Sequence, residues 1–146
     1  MKFSPTLFAT ASLLLASVTA QAGPLVTDEE AKLPNAPGIA TRGVTRGPGI
    51  KLVSPDPAVK TVTSPFDLKV GFEPRGGARI DASSIKVHYM KTPLVDLTDR
   101  VKGGIKDEGI DFAKAELPPG EHPIRFTVKD SEGRSTSSVM TVNVVK

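Results

Sequence analysis

His88 and Met90 stand two apart in a run where Ile85, Val87 and Tyr89 alternate with Lys86, His88 and Met90. If the first set faces a core, the second shares one outward face, and an imidazole beside a thioether is a donor pair for a soft or borderline metal such as copper. Two ligands do not close a site, and the sequence near them offers no third. The other histidine, His122, follows Gly120 by two at the start of a second alternating run. A β-sandwich places at such a corner a polar ring that hydrogen-bonds nearby backbone, so a structural role is expected there.

The carboxylates Asp96, Asp99, Asp107, Glu108 and Asp111 are scattered. A calcium loop sets oxygens at every second position around a glycine, and no such run exists; a solvated rim is the expected reading. Nucleophilic catalysis finds no Gly-x-Ser-x-Gly elbow. Arg75-Gly76-Gly77 precedes neither Gly-Lys-Ser/Thr nor a helix, so it is not a phosphate cradle. No catalytic residue and no cofactor site is expected. A sugar platform needs exposed aromatic faces. Beyond the leader described below, the chain has no Trp, one Tyr, and Phe66, Phe72, Phe112 and Phe126, all of which alternation places in a core.

The elements that must carry these residues begin behind a leader. Lys2, an apolar run from Leu7 to Val18 and Ala20-Gln21-Ala22 ahead of Gly23 make a cationic start, a segment short for a membrane span and a small-x-small cleavage site. Residues 1–22 are expected to be a secretory signal peptide, cleaved after Ala22 to leave an exported chain, periplasmic or extracellular, with no membrane anchor. The full sequence of 146 residues contains 19 Lys and Arg against 16 Asp and Glu, a formal net charge of +3. That balance gives no footprint for nucleic acid, which needs clustered cations on one face. Cysteine is absent, so neither a disulfide nor a lipid attached to cysteine is expected.

Residues 23–48 show no apolar period and hold Pro24, Pro34, Pro37 and Pro48, which predicts an extended or disordered segment with one helical turn over Asp28–Lys32. A chain starting at Gly47 is expected to melt within a few degrees of the longer one. Residues 49–146 form the predicted domain. Phe66, Leu68, Val70 and Phe72 alternate with Asp67, Lys69 and Gly71, the period of a half-buried strand. Ile50 and Leu52, Ile85 to Tyr89, Gly109 to Leu117, His122 to Val128 and Met140 to Val144 give further strands. Inward parity shifts between Phe112 and Ala115, which predicts a bulge near Ala113. Asp130-Ser131-Glu132-Gly133 reads as a hairpin turn with Gly133 at positive φ. About seven strands with turn signals every 8–12 residues predict an all-β fold, a two-sheet antiparallel sandwich.

The run from Leu117-Pro118-Pro119-Gly120-Glu121-His122 through Phe126-Thr127-Val128-Lys129-Asp130-Ser131-Glu132-Gly133-Arg134 resembles the ending of bacterial immunoglobulin-like domains. The resemblance spans roughly residues 49–146 and implies a single immunoglobulin-like sandwich with an accessory or recognition role at the envelope or outside the cell, without implying a ligand. It departs from antibody-type domains in lacking the paired cysteines and the core Trp. The expected function is therefore a non-catalytic module that binds an envelope or extracellular protein. The alternatives are a small-ligand or metal-binding periplasmic protein seeded by His88 and Met90, or a structural spacer. The connection from Lys91 to Asp107 gathers Asp96, Asp99, Arg100, Lys102 and Lys106 beside Gly103-Gly104 and is the expected contact region.

Overall fold

The computed structural model describes residues 24–37 and 46–146. These are mostly strand, in two sheets. The strands are β1 (Gly49–Ser54), β2 (Val62–Thr63), β3 (Phe66–Glu73), β4 (Ile80–Tyr89), β5 (Val95–Asp96), β6 (Ile105–Lys106), β7 (Gly109–Ala115), β8 (Gly120–Asp130) and β9 (Ser135–Val145), with short helices α1 (Asp28–Ala31) and α2 (Thr98–Val101). One sheet runs β1-β3-β7-β6 and the other β2-β9-β8-β4-β5, so an all-β sandwich stands. Pairing is antiparallel throughout except between β2 and β9.

The alternation of two makes each sheet amphipathic, and the apolar faces meet. Leu68, Val70, Phe72 and Ile110 come from the first sheet, and Ile85, Val87, Tyr89, Ile124, Phe126, Val128, Val142 and Val144 from the second; all are buried. Each such side chain contributes about 1.5–3 kcal/mol by leaving water. Phe66 and Phe112 are only half-buried, because the ladder between β3 and β7 is irregular where they lie. Phe66 faces Ala115 and Leu68 faces Phe112, so Ala113 and Lys114 together oppose Asp67. This is the bulge the parity shift predicts. Lys114 takes a φ of 56°, and its N–H donates to Asp67 Oδ1 at 3.2 Å.

The hairpin from β8 to β9 also follows the sequence. Gly133 has a φ of 78°, which a side chain would strain. Asp130, at the turn's first position, accepts hydrogen bonds from the Glu132 and Arg134 N–H groups and from Arg134 Nε. Burial raises its pKa, but these donors outweigh burial and hold the carboxyl below its ordinary value.

Residues 24–37, within the stretch expected to be extended or disordered, are part of the fold. Over residues 24–37 the chain lies across one end of the sandwich, with Leu25 and Val26 each 1% exposed within the common core. The Leu25 N–H donates to Glu116 C=O, and further on Ala36 N–H donates to Met90 C=O and Thr92 N–H to Pro34 C=O. Thr27 caps α1 by accepting from Glu30 N–H, while the Glu30 carboxylate accepts from Thr27 N–H, a reciprocal capping box. Arg100 fixes this turn from across the molecule with two bonds to the Glu30 carboxylate, at 2.7 and 2.6 Å, and a third to Leu25 C=O. The domain thus begins before residue 49, since Leu25 and Val26 bury a full hydrophobic pair that is too short to show a period. The signal peptide expected over residues 1–22 lies outside the described residues. Among those described, no helix is long and apolar enough to cross a membrane.

The clasp has a pH signature. Hydrogen bonds from Arg100 are the largest influence on Glu30 and, against partial burial, hold its pKa down at about 2, from an ordinary 4.5. A depressed carboxylate stabilises the fold fully above its unfolded pKa and loses that contribution as pH falls through the folded value. The melting-temperature difference between the parent and Glu30→Gln is therefore expected to be constant above pH 5 and to shrink between about pH 4.5 and 2. A difference independent of pH across that window would show that the ion pair adds nothing.

Candidate functional site

The connection from Lys91 to Asp107 carries the chain from β5 in one sheet to β6 in the other. Its apolar residues reach inward: Leu97 and Val101 are both 0% exposed. Of the five residues expected to meet a partner, Arg100 is committed to Glu30 and Leu25. Asp96 Oδ1 accepts from Thr98 N–H at 2.9 Å and opens the first turn of α2. Its hydrogen bonds to Thr98, with the nearby charges of His88 and Lys86, lower its pKa against slight burial. Lys106 makes an exposed pair with Asp111 at 3.4 Å, worth about 0–1 kcal/mol. Asp99 and Lys102 stand exposed. Charge reversal at Arg100 therefore acts on the fold, because it sets a second carboxylate against Glu30.

Met90, expected on an exposed face beside His88, is buried. His88 lies between Asp96 on β5 and Arg125 on β8 in the outer row of its sheet, half-buried. Met90 is buried, because β4 ends at Tyr89 and the chain turns there, with Lys91 N–H donating to Tyr89 C=O. There the Ala36 N–H donates to Met90 C=O, which brings the N-terminal segment against a position expected to face solvent. Among the described residues no group of three or more His, Cys, Asp or Glu could hold a metal ion.

His122 takes the corner position. Its Nε2 lies 2.6 Å from Pro118 C=O, which can only accept, so Nε2 carries the proton and Nδ1 accepts from the Tyr89 hydroxyl at 2.8 Å. Burial lowers the His122 pKa more than the Pro118 bond raises it, keeping the ring neutral, and burial pushes Tyr89 up to about 12. Both rings are buried, and each polar atom of the pair has a hydrogen-bond partner.

What the fold leaves open lies along β9. Ten of the eleven residues of this strand, Ser135 to Val144, pair with β8, but on its other side β2 is in register only with Val144 and Val145. At the opposite end the chain entering β1 closes against it: a Cβ on Gly47 would stand 2.6 Å from Thr136 Oγ1. Between these closures, from Ser137 to Val142, no strand among the described residues pairs with the outer edge. The window is about 20 Å long at the rise of a strand.

The polar groups of this window point outward in a determined order. Met90 N–H donates to Pro123 C=O, so the main-chain groups of Pro123 face β4. Thr141 stands opposite Pro123 on β9, and in an antiparallel ladder its N–H and C=O then point away from β8. Ser137 and Val139 share that parity. The neighbouring ladder agrees: Val87 directs its C=O to Leu97 N–H and its N–H to Thr98 Oγ1, so its partner Phe126 faces β9 instead.

A groove of about 880 Å³ runs along this edge, walled by β9, by β1 and by the connection from Pro55 to Val62. Ile50, Leu52 and Met140 form an apolar floor that is only partly buried. Val59 on the wall is 54% exposed. From Ser135 to Val145 the strand has no charged residue and no proline, the two devices that usually protect an edge. That lack of charge is readable in the sequence; the open edge is not, since it arises because β1 pairs with β3 and leaves β9 before β2 returns to it. No family model, curated protein or solved structure matches the chain.

Proposed function

We propose that this is an exported, non-catalytic immunoglobulin-like module that binds an envelope or extracellular protein, and that it does so through the open edge of β9. The sheet order supports the immunoglobulin-like reading. With the two-residue strands β2 and β5 set aside as edge additions, β1-β3-β7-β6 corresponds to the A-B-E-D sheet of that fold and β9-β8-β4 to G-F-C. The His122 bond to Pro118 C=O, at the start of β8, stands where that fold places its corner tyrosine. Export rests on Lys2, the apolar run from Leu7 and Ala20-Gln21-Ala22.

The observation that carries binding is the uncharged, unpaired edge from Ser137 to Val142 beside a groove. Of the other polar side chains discussed, His122 and Tyr89 bond each other and Arg100 bonds Glu30 and Leu25. Immobilised protein is expected to retain a specific partner from an envelope extract of its host, and Thr141→Pro is expected to lose it. Proline there removes an outward N–H and no bond to β8, so its melting temperature should stay within a few degrees of the parent. Equal retention by the proline variant would detach binding from this edge.

A further inference from the structure

Building on this binding role, we infer that the β9 groove takes a short extended peptide segment that adds as a strand, with apolar side chains at alternate positions and an acidic residue at its flank. The backbone groups of Ser137, Val139 and Thr141 offer the ladder, which fixes the occupant as extended main chain. Alternation follows from the walls. Every second side chain of an added strand turns toward Ile50, Leu52 and Met140, whose apolar surface is left partly uncovered, while the others turn to solvent beside Thr141.

Charge selects the flank. Lys51 and Lys60 line the groove, and neither has an ion-pair partner among the described residues. The groove carries one carboxylate, Asp56, which accepts from Ala58 N–H, so two lysines stand against one acid. An acidic residue entering beside the lysines meets complementary charge, whereas a basic one is repelled.

Size and closure argue against a second copy as the occupant. The groove volume lies within the ~300–1,000 Å³ of ligand pockets, and the open ladder ends at Gly47 on one side and at β2 on the other. A second β9 edge sits recessed behind its own β1 and its own Pro55–Val62 wall. Two such recesses cannot bring their floors together, but one slender segment enters either.

The test uses the folded chain and three acetylated, amidated peptides: Glu-Val-Thr-Val-Thr-Val, the same with Lys for Glu, and the same with its central Val replaced by Pro. The acidic peptide is expected to slow amide exchange of Ser137, Val139 and Thr141 by about tenfold or more, leaving Ser138, Met140 and Val142, already bonded to β8, nearly unchanged. It should bind about tenfold tighter than the lysine peptide at low salt, with the gap closing at high salt, and the proline peptide should not bind. Equal affinity for the two charged peptides, or protection of these amides by raising protein concentration alone, would overturn the inference. If no peptide protects the edge while Thr141→Pro still abolishes partner retention, strand addition of a short segment falls and the binding role stands. If retention is also unaffected, both fall.

Discussion

A chain shortened to begin at Gly47 should melt roughly 10 °C below one that keeps residues 24–37, a loss of about 2–4 kcal/mol. The absence of an apolar period in this stretch predicts a change below ~1 kcal/mol, so the measurement separates the two readings cleanly. Leu25 and Val26 each remove an aliphatic side chain from water almost entirely, a gross gain of about 1.5–3 kcal/mol apiece. Ordering the segment offsets part of that gain. Its removal also uncovers the neighbours of these two side chains within the common core, which Leu97, Val101 and Leu117 share. The ion pair is the smaller share: Arg100 is 36% exposed, so solvent screens it, and Arg100→Met alone should cost well under the truncation. A shortened chain that melts within two or three degrees of the parent would mean that the segment docks without holding the fold.

The difference between what the sequence discloses here and what it conceals is physical. A strand half-buried in a sheet repeats every two residues, so β3, β4, β8 and β9 announce themselves, and even the bulge at Ala113 and Lys114 appears as a break in parity between Phe112 and Ala115. Leu25 and Val26 form a pair too short to have a period, and Arg100, which bonds Leu25 C=O, lies 75 positions away. Nothing local marks that arginine as structural; in the sequence it reads as one more charge in a polar connection. Met90 misleads in the opposite way, since the alternation that places it outward continues in the sequence one residue beyond the point where the strand turns. The groove is hidden for a third reason. The lack of charge from Ser135 to Val145 is visible, but whether an uncharged strand is central or at an edge depends on which strand lies beside it. Here β1 goes to β3 and β2 covers two residues.

Phe126→Ala should cost about 3–5 kcal/mol, enough to unfold much of a domain whose total stability is of the usual 5–15 kcal/mol. Phe126 is 1% exposed in the central strand of the larger sheet, opposite Val87 on β4 and Ser138 on β9, with Ile124 and Val128 sharing its inward face. Its ring is held from both flanks, so the neighbours cannot collapse into the space it leaves without shifting two ladders. The chain has no cysteine, so no disulfide reduces the entropy of the unfolded state and compensates for a weakened core. Phe112→Ala is the internal control. Phe112 is only half-buried beside the bulge, where the irregular ladder can relax, so its loss should cost less than half as much. Urea titration of both variants checks the order: the midpoint for Phe126→Ala should fall far below that for Phe112→Ala, with slopes unchanged if both unfold from the same sandwich. Equal midpoints would mean that the two rings share one environment, and the assignment of Phe126 to the closed centre of the core would be wrong.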